Sequence, residues 1–135
     1  MAVDEKVAMD KVEEPRGDLT TRTLAMPADT NPAGDIFGGW VMSQMDIAGG
    51  LAANQTAKGR VVTVAVDAMH FIRPVKVGDV LCVYTEVTKT GRSSINVHVE
   101  AWALRALKQE REKVIQAQFT YVAVDANGKP CPIAG

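Results

Sequence analysis

Cysteine and histidine are scarce in this chain of 135 residues, which contains two of each. Cys82 and Cys131 lie far apart, whereas a disulfide framework or a structural zinc site needs cysteines clustered at short spacing. His70 and His98 fall on different predicted strands without carboxylates at ligand spacing, so no metal site is expected. We interpret both cysteines as reduced thiols, which predicts a cytoplasmic protein.

Long apolar runs and a charge imbalance are also missing. No segment approaches the roughly 20 apolar residues of a membrane span, and the first sixteen residues are rich in charge, unlike a signal peptide. The formal net charge of -1 disfavours partners bound by bulk electrostatics, so neither nucleic acid nor a membrane is expected. We predict a solvated arm over 1–16, a single domain over 17–126 and a tail over 127–135.

Two motifs of common catalytic sites are absent as well. None of the serines lies in a GxSxG context, so a serine nucleophile of that kind is not expected. The segment "GDIFGG" is rich in glycine but lacks the GK[ST] of a P-loop. A nucleoside-triphosphate site is therefore not expected either.

The segment from residue 38 to about residue 55 has the length and the Met, Ala and Leu content of a helix. It is apolar on nearly every side, which predicts burial nearly all round. Threonine and leucine content predicts a short strand before it at 17–26, and Pro, Asp and Asn predict a loop at 27–35. Further strands are predicted at 61–74, 77–94 and 117–125, and strict alternation predicts a half-buried strand at 94–101.

The segment "EAWALRALKQEREKVIQ" is ambiguous, because its residues favour a charged amphipathic helix on propensity alone. We favour two strands joined at "KQER". The chain then has one buried helix followed by about four antiparallel strands. Since such a helix needs a surface that curves around it, the predicted fold class is α+β, with an antiparallel sheet wrapped around one central helix.

Asp46 is the only acid in the predicted helix, and its neighbours on the same face are small or apolar. One interpretation is structural, with the carboxylate capping a loop or paired to a basic residue from a strand; the other is catalytic. Gly38 and Gly39 favour chemistry, because glycines at a helix start leave its unpaired amide N–H groups open to a substrate oxyanion. Gly38 and Asp46 lie about 12 Å apart along the helix axis, too far to act on one carbonyl. If both are catalytic, each site must combine two subunits.

Three segments together carry a resemblance to a known family: "MPADTNPAGDIFGGWVMSQMD", "VVTVAVDAMHFIRPVKVGDVL" and "TGRSS". The chain resembles the hotdog-fold acyl-CoA thioesterases from about residue 18 to residue 125, most closely the YciA-type acyl-CoA hydrolases of bacteria. The resemblance implies the hotdog fold, in which an antiparallel sheet wraps around one long helix. It also implies hydrolysis of acyl-CoA to a free acid and coenzyme A, without a further cofactor.

The resemblance assigns roles residue by residue. Asp46 matches the general base or nucleophile, Gly38 the backbone N–H that polarises the thioester carbonyl, and Asn31 a loop residue that places substrate or water. The acid serves the Gly and Asn of a neighbouring subunit, so a dimer is the minimum and a trimer of dimers is expected. Some relatives carry histidine where this chain has Phe37, so the chain departs from that pattern.

Contacts to the substrate and its coenzyme A portion are expected from glycine, aromatic, basic and hydroxyl side chains. These candidates are Gly39, Phe71, Arg73, Lys76, Arg92, Ser93 and Ser94. Arg92 with the two serines is suited to one phosphate, and Arg73 or Lys76 to another.

Two other functions remain open from the sequence. One is another hotdog activity on acyl-CoA, the hydration or dehydration of enoyl thioesters, which usually looks like an acid and a histidine side by side. The other is a non-catalytic acyl-CoA sensor.

Overall fold

One long helix and five strands form the part of the chain described by a computed structural model, residues 14–133. The strands make one antiparallel sheet in the order β1-β3-β4-β5-β2. In chain order the elements are β1 (Asp18–Leu24), a 3-10 turn (Pro27–Asp29), α1 (Gly38–Ala57), β2 (Val61–Phe71), β3 (Val80–Thr90), β4 (Ser94–Leu104) and β5 (Arg111–Ala123). The predicted α+β class and strand count are confirmed.

Helix α1 packs against all five strands, so the sheet curves around it as predicted. Its fully buried side chains include Met45, Ala48 and Ala53, and the facing strands contribute Val97 and Val99. Burying such side chains stabilises the fold by roughly 25 cal/mol for each Å² of apolar surface. The helix and the sheet thus share a single core.

The predicted burial of α1 on nearly every side is wrong for the single chain. Met42, Ile47 and Leu51 are 37%, 53% and 49% exposed. The reason is geometric, because one sheet of five strands covers only the side of the helix that faces it. An apolar strip of α1 therefore remains open on the surface of one protomer.

The prediction of a half-buried strand at 94–101 is also wrong, since β4 is buried on both faces. Val97 and Val99 face the helix, while His98 and Glu100 on the opposite face are only 6% and 3% exposed. Their polar atoms form hydrogen bonds with one another and with residues of neighbouring segments. The polar residues of this strand therefore alternate with apolar ones without being exposed to solvent. The outer face of the sheet carries a polar layer of its own.

The ambiguous segment forms two strands, as predicted. β4 ends at Leu104 and β5 begins at Arg111, within "KQER". The strand predicted at 117–125 is the second half of β5, which runs without interruption from residue 111 to residue 123. The bulge between Ala101 and Trp102 lets the two long strands curve around the helix.

Segments flanking the predicted 17–126 domain also contact the sheet. The backbone N–H of Arg16 donates to the Glu100 carboxylate, and Ile133 N–H donates to the carbonyl of Arg92. Residues 1–13 of the predicted arm and residues 134–135 of the predicted tail lie outside the described residues.

Candidate active site

The Asp46 side chain projects from α1 toward β2 and β5 and is half-buried rather than fully buried. Its Oδ1 atom accepts two hydrogen bonds, from the Thr63 hydroxyl at 2.8 Å and from the Tyr121 hydroxyl at 2.9 Å. The structural alternative of a basic partner is not seen among residues 14–133, since both partners are neutral hydroxyls.

The sheet explains why two hydroxyls reach one oxygen. Thr63 of β2 and Tyr121 of β5 are directly opposite each other in the antiparallel ladder. Opposed residues project their side chains to the same face, with Cβ atoms about 5 Å apart. Asp46, on the helix that packs against this face, lies over the pair.

The second oxygen of the Asp46 carboxylate is differently placed. Within residues 14–133, Oδ2 has no hydrogen-bond partner, while Oδ1 has two. The carboxylate is therefore anchored through one oxygen and open at the other. Such an arrangement suits a group that takes a proton from water or attacks a substrate.

Tyr121 is a neutral donor in this site. Burial raises the pKa of the Tyr121 hydroxyl, and the hydrogen bond to Asp46 and its negative charge raise it further, outweighing the opposite effect of Thr63. The phenol therefore stays protonated throughout the pH range of ordinary enzymes. It can donate a hydrogen bond to the carboxylate but cannot act as a base.

Gly38 and Gly39 begin α1, and no side chain caps the helix start. The first two amide N–H groups have no acceptor among the residues that the structure describes, as expected for a helix N-terminus. Phe71 covers Gly38, since a Cβ atom built there would be 3.1 Å from Cε2 of its ring. Nothing lies within 4 Å of the corresponding position on Gly39. The two predicted contacts, Gly39 and Phe71, are thus placed beside Gly38.

Asn31 shapes the loop that leads into α1. Its Oδ1 atom accepts hydrogen bonds from the N–H groups of Ala33 at 3.0 Å and Asp35 at 3.1 Å. The loop is held to the β2–β3 connection because Ile36 N–H donates to the Val75 carbonyl at 3.0 Å. The Nδ2 group of Asn31 has no acceptor within the described ranges, so it can donate to a substrate or a water.

Gly38 and Asp46 do not meet within one chain. Their eight-residue separation along an unbroken helix corresponds to about 12 Å. Phe71, which contacts Gly38, is the last residue of β2. Thr63, which donates to Asp46, lies near the beginning of the same strand. One protomer therefore holds the candidate residues in two separate groups, which we call the Gly38 half-site and the Asp46 half-site.

The basic residues proposed for coenzyme A fall into two groups. The Arg73 guanidinium pairs with Glu112 at 3.1 Å and donates to the Lys113 carbonyl at 2.8 Å. The Lys76 ammonium pairs with Asp35. Both cations are thus engaged near the Gly38 half-site, and phosphate binding there has to compete with these ion pairs.

Arg92 and Ser93 lie in the β3–β4 turn, and Ser94 begins β4, near the other half-site. Ser94 is opposite Val122, next to Tyr121 on β5. A shallow cavity of about 220 Å³ is lined by Arg92 and Ser93 together with Pro130, Cys131 and Pro132. The exposed Arg92 guanidinium has no ion-pair partner in the described part of the chain. The turn is therefore free to bind an anion.

Sequence reasoning missed Thr63 and Tyr121. Both lie in segments identified as strands, but nothing in a single strand shows which residue opposes which. The available signal was the pair Gly49 and Gly50, which follows Asp46 by one turn and makes room for a large side chain. A Cβ atom at Gly49 would be 2.4 Å from the Tyr121 hydroxyl oxygen.

His98 and Glu100 form the one histidine–acid pair that the structure describes, with 2.7 Å between Nε2 and Oε2. They project from β4 on the face opposite the helix, so they do not approach Asp46. Between residues 14 and 133, no group of three or more His, Cys, Asp or Glu side chains is arranged to hold a metal ion. No helix in that same range is both long and apolar enough to cross a membrane.

Comparisons with known proteins agree with this architecture. Residues 33–108 match the model of the thioesterase superfamily. The chain is 54% identical over 122 residues to the acyl-CoA thioester hydrolase YciA of Salmonella typhimurium, covering 88% of this chain and 92% of that protein. A hexameric thioesterase from Yersinia pestis is 55% identical with a TM-score of 0.86, covering 90% of this chain and 99% of that one.

An acyl-CoA hydrolase of Staphylococcus aureus bears on the site residues. Its structures include aspartate-to-alanine and threonine-to-alanine variants, each 30% identical to this chain with a TM-score of 0.76, covering 85% of this chain and 71% of that one. The two replaced residues lie 17 positions apart, the same separation as between Asp46 and Thr63. By family model, sequence and fold, this chain belongs to the thioesterase superfamily and has the hotdog fold.

Proposed function

We propose that this protein is an acyl-CoA thioesterase that hydrolyses acyl-CoA to a free carboxylic acid and coenzyme A. The observation that carries the proposal is the Asp46 carboxylate, held through Oδ1 by two hydroxyls and open at Oδ2. Relatives that share about half of the sequence carry the name acyl-CoA thioester hydrolase.

The chemistry requires few groups. Asp46 Oδ2 acts as general base toward a water, or as nucleophile, at the thioester carbonyl carbon. The carbonyl oxygen gains negative charge, which the N–H of Gly38 from a neighbouring subunit stabilises, with Asn31 Nδ2 placing substrate or water. In the base route the carbon–sulfur bond then breaks, and the thiolate of coenzyme A takes up the proton that Asp46 received from water. In the nucleophile route the departing thiolate leaves an acyl anhydride on Asp46, and a water hydrolyses this anhydride to the free acid and supplies the proton of the thiol. Since a thiolate is a good leaving group, no Ser-His-Asp triad is needed.

We propose a dimer as the minimal active unit and a trimer of dimers as the complete assembly. Val62, Val64 and Val66 are exposed along β2, which is an edge strand of the sheet. An exposed apolar edge strand is usually paired or covered in a stable protein. Together with the apolar strip of α1, this edge supports a two-fold interface that brings Gly38 of one protomer to Asp46 of the other. The Yersinia pestis relative is hexameric.

The proposal includes a cytoplasmic location and no cofactor beyond the coenzyme A of the substrate. Two free cysteines, Cys82 and Cys131, support a reducing compartment.

Thiol release measured over acyl chains from acetyl to palmitoyl tests the function. The Asp46→Asn variant should lose about 100-fold or more in kcat, because the amide cannot take a proton, and it should still bind coenzyme A. Glu110→Gln is the matched control, since Glu110 is exposed on the β4–β5 turn and should leave activity unchanged. A wild-type rate in Asp46→Asn would refute the assignment.

The other two functions have distinct signatures. An enoyl-CoA hydratase would consume crotonyl-CoA without releasing thiol, and a sensor would bind coenzyme A without releasing thiol from any substrate. The position of His98 and Glu100, on the sheet face away from Asp46, gives no support to the hydratase.

A further inference from the structure

We propose that Tyr121 is a positioning residue that fixes the Asp46 carboxylate so that Oδ2 faces the reacting thioester. The proposal rests on the thioesterase function and adds a residue to its machinery. Tyr121 acts through Asp46 and does not contact the substrate in this scheme.

The Tyr121 hydroxyl contacts both the side chain and the main chain of Asp46. Its oxygen lies 2.9 Å from Asp46 Oδ1 and 3.0 Å from the Asp46 carbonyl oxygen. A donor shared between these two acceptors restricts rotation of the side chain relative to the helix backbone. The carboxylate is thereby held in one orientation before a substrate arrives.

The position of the phenol is set by the sheet and not by Asp46. Tyr121 is 1% exposed, and its ring stacks against Phe119 with centroids 6.2 Å apart. The ring is thus fixed on β5 by packing. Thr63 donates to the same oxygen but is exposed, so its hydroxyl is less constrained.

Gly49 is required by this arrangement. A Cβ atom on Gly49 would be 2.4 Å from the Tyr121 hydroxyl oxygen and 3.1 Å from two ring carbons. On Gly50 the nearest ring atom would be 3.8 Å away, an ordinary contact. A methyl group at position 49 therefore displaces the phenol, whereas one at position 50 does not.

The hydroxyl donates at every pH at which the enzyme works. Because the site is buried and lies against a carboxylate, the phenol keeps its proton, so removing the hydroxyl removes a permanent donor. Without this donor the Asp46 carboxylate can rotate, so kcat should fall while the KM for the substrate, which Tyr121 does not contact, is retained. A purely structural role of Tyr121 would not separate kcat from KM in this way.

The test compares thiol-release kinetics of Tyr121→Phe with wild type at one fixed pH. We expect kcat to fall about 10- to 100-fold, as for loss of a hydrogen bond to a charged group. KM should change less than about 2-fold, because Tyr121 does not contact the substrate. An unchanged kcat, or a rise in KM as large as the fall in kcat, would overturn the proposal.

A glycine pair supplies the matched comparison. Gly49→Ala should reproduce the loss in kcat with little change in KM, while Gly50→Ala should keep the wild-type values. If Tyr121→Phe does not fold, the comparison of kcat between Gly49→Ala and Gly50→Ala tests the proposal. Equal kcat values for these two variants contradict it. Absence of thiol release in the wild type would instead refute the thioesterase function itself, so the two failures are distinguishable.

Discussion

The Phe71 ring covers Gly38, at the start of α1, closely enough that a Cβ atom there would be 3.1 Å from Cε2. The ring itself is 58% exposed, so it has solvent on its other side. Phe71 therefore packs over the start of α1, beside the first residue of the helix. This contact links the predicted oxyanion donor with a predicted substrate contact.

Replacing Gly38 by alanine should disturb the packing of the Phe71 ring. We expect Gly38→Ala to cost about 1 kcal/mol more in the wild-type background than in a Phe71→Ala background, because the added methyl forces the ring to move. Thermal unfolding of the four proteins in the cycle measures this coupling. Gly39→Ala is the control for stability, since nothing lies within 4 Å of its added Cβ. Equal coupling at both glycines would contradict the packing argument.

The fold was accessible from the sequence because its main signals are local. The apolar helix at Gly38–Ala57 and the β-branched density of the strands each depend on neighbouring residues only. Burial of β4 was predicted wrongly, because its outer face is covered by Arg16 and Lys113, which lie 84 and 13 residues away in the sequence from Glu100. Such long-range cover leaves no trace in the alternation of a single strand.

The candidate site was only partly accessible for the same reason. Asp46 and Gly38 stand out locally, one as an acid in an apolar helix and the other in a glycine pair at the helix start. Thr63 and Tyr121 become visible only when the pairing of β2 with β5 is known. The resemblance supplied roles for the first two residues and did not identify the second two.

Glu100 should make the stability of the folded protein depend on pH in the acidic range. Burial alone would raise the pKa of its carboxyl, but hydrogen bonds from His98, Trp102 and the Arg16 amide, with the charge of Lys113, hold that pKa below its ordinary value. A carboxyl whose pKa is lower in the folded state contributes stability above the unfolded pKa of about 4.3. This contribution is lost as pH falls through the folded pKa. We expect the melting temperature to decline below about pH 4.3.

The variant Glu100→Gln checks the source of that decline. At pH 7 it should be less stable by about 2 kcal/mol, because the amide cannot replace a charged acceptor of several hydrogen bonds. Its melting temperature should fall less than that of wild type between pH 5 and pH 3. Glu86→Gln is the control, since Glu86 forms one exposed ion pair with Arg16 and should change stability by less than about 1 kcal/mol. Parallel acid profiles in wild type and Glu100→Gln would exclude Glu100 as the cause.

Arg92 should bind the phosphate-bearing part of coenzyme A. Unlike Arg73, which is paired with Glu112, its guanidinium is exposed and lies beside the cavity of the β3–β4 turn. We expect Arg92→Ala to raise KM for acyl-CoA about 5- to 10-fold with little change in kcat, as for loss of a charged contact. An acyl thioester of N-acetylcysteamine, which lacks the nucleotide, should show no such change. An equal rise in KM for both substrates would contradict the phosphate contact, because it would mean that the substitution disturbs the fold of the site.

The two half-sites of one protomer predict that two inactive variants complement each other. Asp46→Asn lacks the carboxylate, and Asn31→Ala lacks the loop amide, so each pure assembly should be inactive or nearly so. In a mixed dimer, the Asn31 and Gly38 of the first variant meet the intact Asp46 of the second. That site is complete, while the other site of the same dimer carries both substitutions.

Random reassociation of equal amounts should therefore restore about one quarter of the wild-type sites, because half of the dimers are mixed and each has one complete site. The measurement is thiol release after the two variants are dissociated together and refolded, compared with each variant treated alone. Glu110→Gln mixed with Asp46→Asn is the control for exchange and should give about half of the wild-type activity under either arrangement, since every complete site needs only one intact Asp46. If each site were built within a single chain, no mixture of Asp46→Asn with Asn31→Ala would contain a complete site, and activity would stay at the level of the separate variants.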